Sequence, residues 1–400
     1  MTANEIIEDR LIRHTIYLLR LTTNYQDAFV SVLNKSNPGL GTFLYENMSK
    51  LSLARTKTAQ KQWEAFRKRL YSFRSDIFTG FKSQYSDEMI ELIDRETKYI
   101  NALYNNSVNI LEWNPNMPKT KNVNLLRYGQ VDGKIFNDYF QEVQYGDTDR
   151  ITKTVRTGLI QQKSQPDIVK DIVGTKSLNY TDGITKISKN SARSLTRTLT
   201  LGIANNARQE FYDANADVIR NEVYAAVLDG RTTLECASYD GTRWKHNEGP
   251  VPPLHRNCRS LRIAEVDGLK ITGQRSYVTD TRTARKRRID FRKNAKSSVG
   301  KEKWSKLSEK QRYNLIKKQR IKWQKENIGR VPVGTKAEDW LRNQPAKYQN
   351  EYLGKTRAEL FRKGDFTLNK FIDKSGKKYN LDELYNIYTE EFKKAGISYP

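Results

Sequence analysis

Apolar residues recur at spacings of three, four and seven through residues 5–33: Leu11, Leu18, Leu21, Tyr25, Phe29 and Val32 fall on one face of a helix. Asn37-Pro38-Gly39 interrupts that pattern. A second helix is expected over 50–80, striped by Trp63, Phe66, Leu70, Phe73, Ile77 and Phe81, and a third over 86–105 through Leu92, Ile93, Ile100 and Leu103. Stripes of this kind are normally core, so residues 1–110 read as a helical bundle.

Residues 113–122, with two prolines and no periodicity, read as a linker. Short helices are expected at 134–144, 148–162 and 166–173, with Asp149 and Asp167 as first-turn carboxylates that favour a helix N-terminus. A longer helix over 188–213 carries Leu195, Leu199, Ala207 and Phe211, with Arg193, Arg197 and Arg208 on its polar surface. Glu222–Val227 alternates as a strand, and Leu261, Ile263 and Val266 suggest a returning one. The fold class that follows is mainly α with a small α+β knuckle, in an elongated, multi-part helical protein. Four parts are expected: 1–110, a helical bundle; 123–280, a domain holding the knuckle at 228–260; 281–330, a basic arm and helix; and 331–400, a small helical unit.

Charge changes this picture most. The chain carries 71 Lys and Arg against 46 Asp and Glu, a formal net charge of +25. Residues 282–325 hold 18 of those cations and only three acids, Asp290, Glu302 and Glu309. A solvated helix face normally mixes signs. This one barely does, and cations that neutralise phosphates release counterions, which gives salt-sensitive, sequence-independent affinity for double-stranded DNA. The candidate contacts are Arg285, Lys286, Arg287, Arg288, Arg292, Lys293, Lys317, Lys318, Arg320 and Lys322. A helix over 301–326 is expected, with Trp304, Leu307, Leu315, Gln319 and Lys322 near one side. Tyr313, Trp304 and Trp323 could stack on bases, although Trp at helical spacing is more often core. An anionic membrane surface is the other polyanion such charge would meet, but no apolar stretch approaches the ~18 residues of a membrane helix. An acidic N-terminus unlike a signal peptide and only two cysteines fit a reducing cytosol.

The knuckle holds both cysteines and two of the three histidines. Thr232 to Glu235 is a capping-box pattern that predicts a short helical turn presenting Cys236. Asp240-Gly241 favours a tight hairpin turn, and Pro250, Pro252 and Pro253 stiffen a return that brings His255 and Cys258 back towards Cys236. Three readings stand side by side: a zinc site from Cys236, His255, Cys258 and His246; a disulfide staple of Cys236 with Cys258; or two buried thiols and a hydrogen-bonded His, with no cofactor. Neither a metal nuclease nor a cysteine protease is marked, because the strand after Cys258 offers few ligands and nothing pairs a nucleophile with an oriented base. No enzyme activity is expected.

Two segments resemble the phage minor head, or head-morphogenesis, proteins related to protein F of phage Mu. In the knuckle the matching residues are Leu228, Asp229, Arg231, Thr232, Cys236, Asp240, Gly241, Gly249, Pro250, Pro252, Pro253, His255, Cys258 and Arg259. In the second segment, 339–384, they include Trp340, Leu341, Gln344, Pro345, Gly354, Arg357, Leu360, Phe361, Arg362, Gly364, Phe371, Asp373, Leu381, Glu383 and Leu384. Many members carry two further cysteines where this chain has Thr233 and Ser260, so the Cys pairs of a structural zinc site are broken here. The first 110 residues carry no resemblance.

The resemblance implies a non-enzymatic component of the bacteriophage virion. It would join the capsid interior or portal vertex, contact portal protein, other head proteins and packaged DNA, and act in head assembly and DNA packaging or ejection. Before assembly it would be in the host cytoplasm. The alternative is a DNA-binding or nuclease-like protein of the infected cytosol that uses the knuckle as a metal module. The apolar set of 331–400 is small for its length, so this unit is expected to order only when docked, on the rest of the chain or on a head partner.

Overall fold

A computed structural model describes residues 3–107, 115–178, 180–266, 274–332, 334–363 and 366–399. The protein is mainly α-helical with two small three-stranded sheets. It divides into two compact units: Arg13–Asp217 with Val251–Cys258, and Met1–Ile12 with Val218–Pro250 and Arg259–Pro400. Among the described residues no helix is long and apolar enough to cross a membrane.

The first unit is built from α1 (Ala3–Lys35, from Arg13 onward), α2 (Asn37–Met48), α3 (Lys57–Ser107), α4 (Asn122–Tyr128), α5 (Phe136–Ile160), α6 (Gln165–Val173) and α7 (Thr185–Asp213). One core gathers Leu18, Phe29, Phe78, Tyr85, Met89, Phe140 and Leu195. A second gathers Leu40, Leu44, Phe66, Leu70, Ile151, Val155 and Ile168. Phe29 stacks on Phe81 with ring centroids 3.9 Å apart.

Two expected breaks are not breaks. The helices expected over 50–80 and 86–105 are one, α3, because Phe81, Tyr85 and Met89 carry the buried stripe through the polar stretch that seemed to end it. The helices expected over 134–144 and 148–162 are likewise one, α5. Asp147 lies inside it, buried, and accepts from Arg74 Nε at 2.6 Å and from the Ser188 hydroxyl. Asp149 is therefore not a first-turn residue; it pairs with Lys153 one turn on, at 2.8 Å. Asp167 does sit in the first turn of α6, where Ser164 accepts from its amide. Arg208 leaves the polar surface expected of it: it is buried and donates to Glu96 at 2.9 Å, and Glu96 also bonds His14 at 2.6 Å. In the expected linker, Trp113 lies outside the described residues, while Asn116 exchanges two hydrogen bonds with Asn215, at 2.7 and 2.9 Å.

The second unit contains β1 (Ile219–Ala225), β2 (Leu228–Asp229), α8 (Leu234–Tyr239), β3 (Arg243–Lys245), β4 (Leu261–Val266), β5 (Gln274–Val278), α9 (Ala284–Ser297), α10 (Lys301–Lys306), α11 (Glu309–Asn327), β6 (Ile328–Pro332), α12 (Ala337–Arg342), α13 (Ala346–Leu353), α14 (Lys355–Lys363), α15 (Leu381–Ile387) and α16 (Thr389–Lys394). One sheet runs β3-β1-β4, all antiparallel. The other runs β2-β5-β6, with β2 parallel to β5 and β5 antiparallel to β6. In the latter register Tyr277 faces Gly329, and its ring fills the space a side chain there would need.

The knuckle differs from expectation in two places. Thr233, not Thr232, caps α8, accepting from the Cys236 amide at 3.2 Å. Asp240-Gly241 turns the chain from α8 into β3 rather than joining two hairpin strands, with Gly241 at φ +71. Asp240 is held there because its buried carboxylate accepts from the amides of Ala226 and Ala337, both at 2.7 Å, and from Arg275 at 3.0 Å. One carboxylate thus ties β5 and α12 to the knuckle. The C-terminal helices share its core: Leu228 and Ala237 pack with Trp340, Leu341, Leu353, Phe361, Phe371 and Leu384. The small apolar set of 331–400 is completed by the rest of this chain. Gly354, at φ +86, ends α13, whereas Gly364 lies outside the described residues.

Candidate nucleic-acid interface and metal-ligand cluster

The basic stretch is a helical hairpin set between two neighbouring strands. Thr283 caps α9, accepting from the Lys286 amide at 3.2 Å. The single helix expected over 301–326 is divided at Leu307-Ser308, where Ser308 and Gln311 form a capping box that starts α11. Arg312 braces the corner by donating to the carbonyls of Trp304 (3.1 Å) and Ser305 (2.9 Å). Helix α11 then returns along α9 to β6.

The candidate cations have two fates. Lys286, Arg288, Arg292, Lys293, Lys317, Lys318, Arg320 and Lys322 are exposed, while the side chain of Arg285 lies outside the described residues. Lys322 has Glu326 at 3.9 Å, but among the described residues Arg288, Arg292, Lys317 and Arg320 have no carboxylate within ion-pair distance. Arg287 is different. Its guanidinium lies 4.8 Å from the centre of the Trp323 ring, and it donates to the Arg282 carbonyl at 2.8 Å. Burial and the neighbouring Arg231 work against its charge. Trp323 is fastened at its other end, where its indole donates to Asp280 at 2.5 Å. Burial opposes the charge on Asp280, yet hydrogen bonds from Arg282 and Trp323 keep its carboxyl below the ordinary range. Trp304 is buried, so of the three aromatics only Tyr313, 64% exposed, stands clear of the hairpin. Between the helices lies a groove of about 650 Å³ lined by both. Periodicity could not show it, because Phe291 and Ile316, its apolar members, are isolated in a run of cations.

In the knuckle Cys236, His255 and Cys258 each offer one ligand atom, all within 4.8 Å of one another, so a metal ion could be held there. Both cysteines are buried, and the disulfide, one of the three readings, is not formed. The donor set suits a soft ion: two sulfurs and an imidazole. The Tyr224 hydroxyl donates to Cys236 Sγ at 3.3 Å. His255 Nδ1 donates to the Arg256 carbonyl at 3.0 Å, which makes Nε2 the lone-pair nitrogen. His246 is not part of the cluster; its Nδ1 bonds the buried Glu222 at 2.8 Å.

No protein-family model, curated protein or solved structure matches this chain. Its chemistry is read from its own residues.

The knuckle is also framed by an ion pair to which sequence reading assigned no role. Arg259 donates to both carboxylate oxygens of Asp229, each at 2.7 Å, and Arg231 adds a third contact at 2.9 Å. Burial pushes the Asp229 carboxyl up, but the two guanidiniums outweigh it and hold it well below the usual carboxylate range. Spacing could not suggest this pair: the partners are 30 residues apart and pair only because the chain returns.

Proposed function

We propose that this protein is a bacteriophage minor head protein that contacts packaged DNA without reading its sequence. The observation that carries the DNA half is the exposed, carboxylate-free row Arg288, Arg292, Lys317 and Arg320 on a hairpin rooted in a sheet. Such a surface offers phosphates a set of cations on a backbone that is already folded, so little backbone freedom is lost on binding. The virion half rests on the two segments 228–260 and 339–384, which resemble head-morphogenesis proteins in the same order. The reading has a non-enzymatic role, with portal protein and other head proteins as partners.

The test is duplex binding by the full chain. If about six phosphates are neutralised, affinity falls by roughly 10³ between 50 and 200 mM salt. Changing Arg288, Arg292, Lys317 and Arg320 together to Glu should abolish binding, and unchanged affinity would overturn the DNA half. Absence of the protein from purified particles would overturn the virion half.

A second reading, a DNA-binding or nuclease-like protein of the infected cytosol with a metal module, draws on the Cys236–His255–Cys258 cluster. We propose zinc as its ion under either reading, since tetrahedral zinc accepts sulfur and imidazole ligands and tolerates a non-protein fourth one. Metal-dependent cleavage of DNA by the purified chain would favour this reading over the first.

A further inference from the structure

We infer that the groove between α9 and α11 takes an unstacked base of a single-stranded nucleic acid, with its phosphates on the cationic rim. This deepens the proposed DNA contact and rests on it. The argument begins with a mismatch. A duplex presents phosphates and sugars outward and keeps its bases stacked, so it has use for the rim but none for an apolar floor. The groove has both. Phe291, Ile316 and Trp323 are half-buried along its floor, and Arg288, Lys317 and Arg320 stand exposed at its edges.

Its volume of about 650 Å³ is that of a small-ligand site rather than a packing defect. Cations that run beside an apolar floor suit a ligand that is anionic on its outside and flat and apolar within. A base with its phosphate has that form, and stacking on aromatic side chains is indifferent to which base it is. Tyr313, which also lines the groove, adds an exposed ring. The Trp323 indole donates to Asp280 at 2.5 Å and Arg287 lies 4.8 Å from the ring centre, so this side of the floor is fixed before any ligand arrives.

The experiment compares full-length wild type with Tyr313→Ala, Tyr313→Phe and Ile316→Ser, using a labelled oligothymidylate of about 15 nucleotides and a duplex of equal charge at fixed salt. Single-strand affinity should fall about ten-fold in Tyr313→Ala and in Ile316→Ser, be retained in Tyr313→Phe, and duplex affinity should stay within about two-fold throughout. Tyr313 is a surface residue, so its variants keep the fold, and thermal melting checks Ile316→Ser. If single-strand binding is unaltered in both while duplex binding persists, the groove inference falls and the DNA reading stands. If wild type binds neither nucleic acid, both fall. Tight binding of a Glu-rich amphipathic peptide, with no response of the oligonucleotide to the groove variants, would overturn the inference in favour of a protein partner.

Discussion

Arg259 grips Asp229 through both of its terminal nitrogens, at 2.7 Å each, and so locks the end of β2 to the residue that follows Cys258. Both side chains are largely buried, at 10% and 3% exposure. A paired buried charge is tolerable, and a widowed one is not.

Asp229→Asn should therefore cost about 3–5 kcal/mol, because the Arg259 charge stays buried without its partner. Acid should do the same to the wild type. The folded-state pKa of Asp229 is depressed, so its contribution is present above the unfolded carboxylate value of about 3.9 and is lost as pH falls through the lower folded value. Denaturant midpoints measured between pH 7 and pH 2 should fall for the wild type, and the Asn variant should show less of that fall. An equal slope in both would remove Asp229 as the cause.

Two cations of the hairpin should separate by experiment. Lys317→Ala should weaken duplex binding and reduce its salt slope by about one unit while leaving stability within about 0.5 kcal/mol. Arg287→Ala should instead lower the melting temperature, because it uncovers Trp323 and removes the bond to the Arg282 carbonyl. Melting curves and binding isotherms on the same preparations check both.

Gly329→Val should destabilise the second unit by about 1–3 kcal/mol through overpacking. The new side chain would strike the Tyr277 ring, which lies 5.7 Å from Trp340 and through it meets the C-terminal helices. Combining it with Tyr277→Ala should recover part of the loss; additive losses would show that the two residues do not meet.

Purified protein should carry about one zinc per chain, and chelation should lower its melting temperature. Cys236→Ser and Cys258→Ser should each lose the metal, whereas His246→Ala should keep it, since His246 is engaged by Glu222. Wild type that purifies without metal, with both serine variants as stable as it is, would dismiss the site.

The helical class was legible because buried stripes on α1, α3 and α7 are long and regular. Helix ends were less so: Asp149 was expected to open a helix, but α5 runs on through Asp147, a buried acceptor for Arg74, which lies 73 residues away along the chain. The strands β5 and β6, QRSYV and IGRVP, were invisible, since a buried Arg275, a Gly and a Pro disguise them. Arg275 on β5 is buried because it donates to Asp240, 35 residues earlier, and no local pattern encodes that. At the site, the cations were legible from charge alone. That Arg287 faces inward, and that Phe291 and Ile316 make a floor, needed the two helices to be laid together.

The two ends of the basic hairpin touch: the Thr279 amide donates to the Asn327 carbonyl at 3.0 Å, where β5 gives way to β6. A tight two-residue turn could therefore stand in for everything between them. The chain's densest run of positive charge is then an insertion between two paired strands, whose length and charge can change without altering the register of the sheet beneath it.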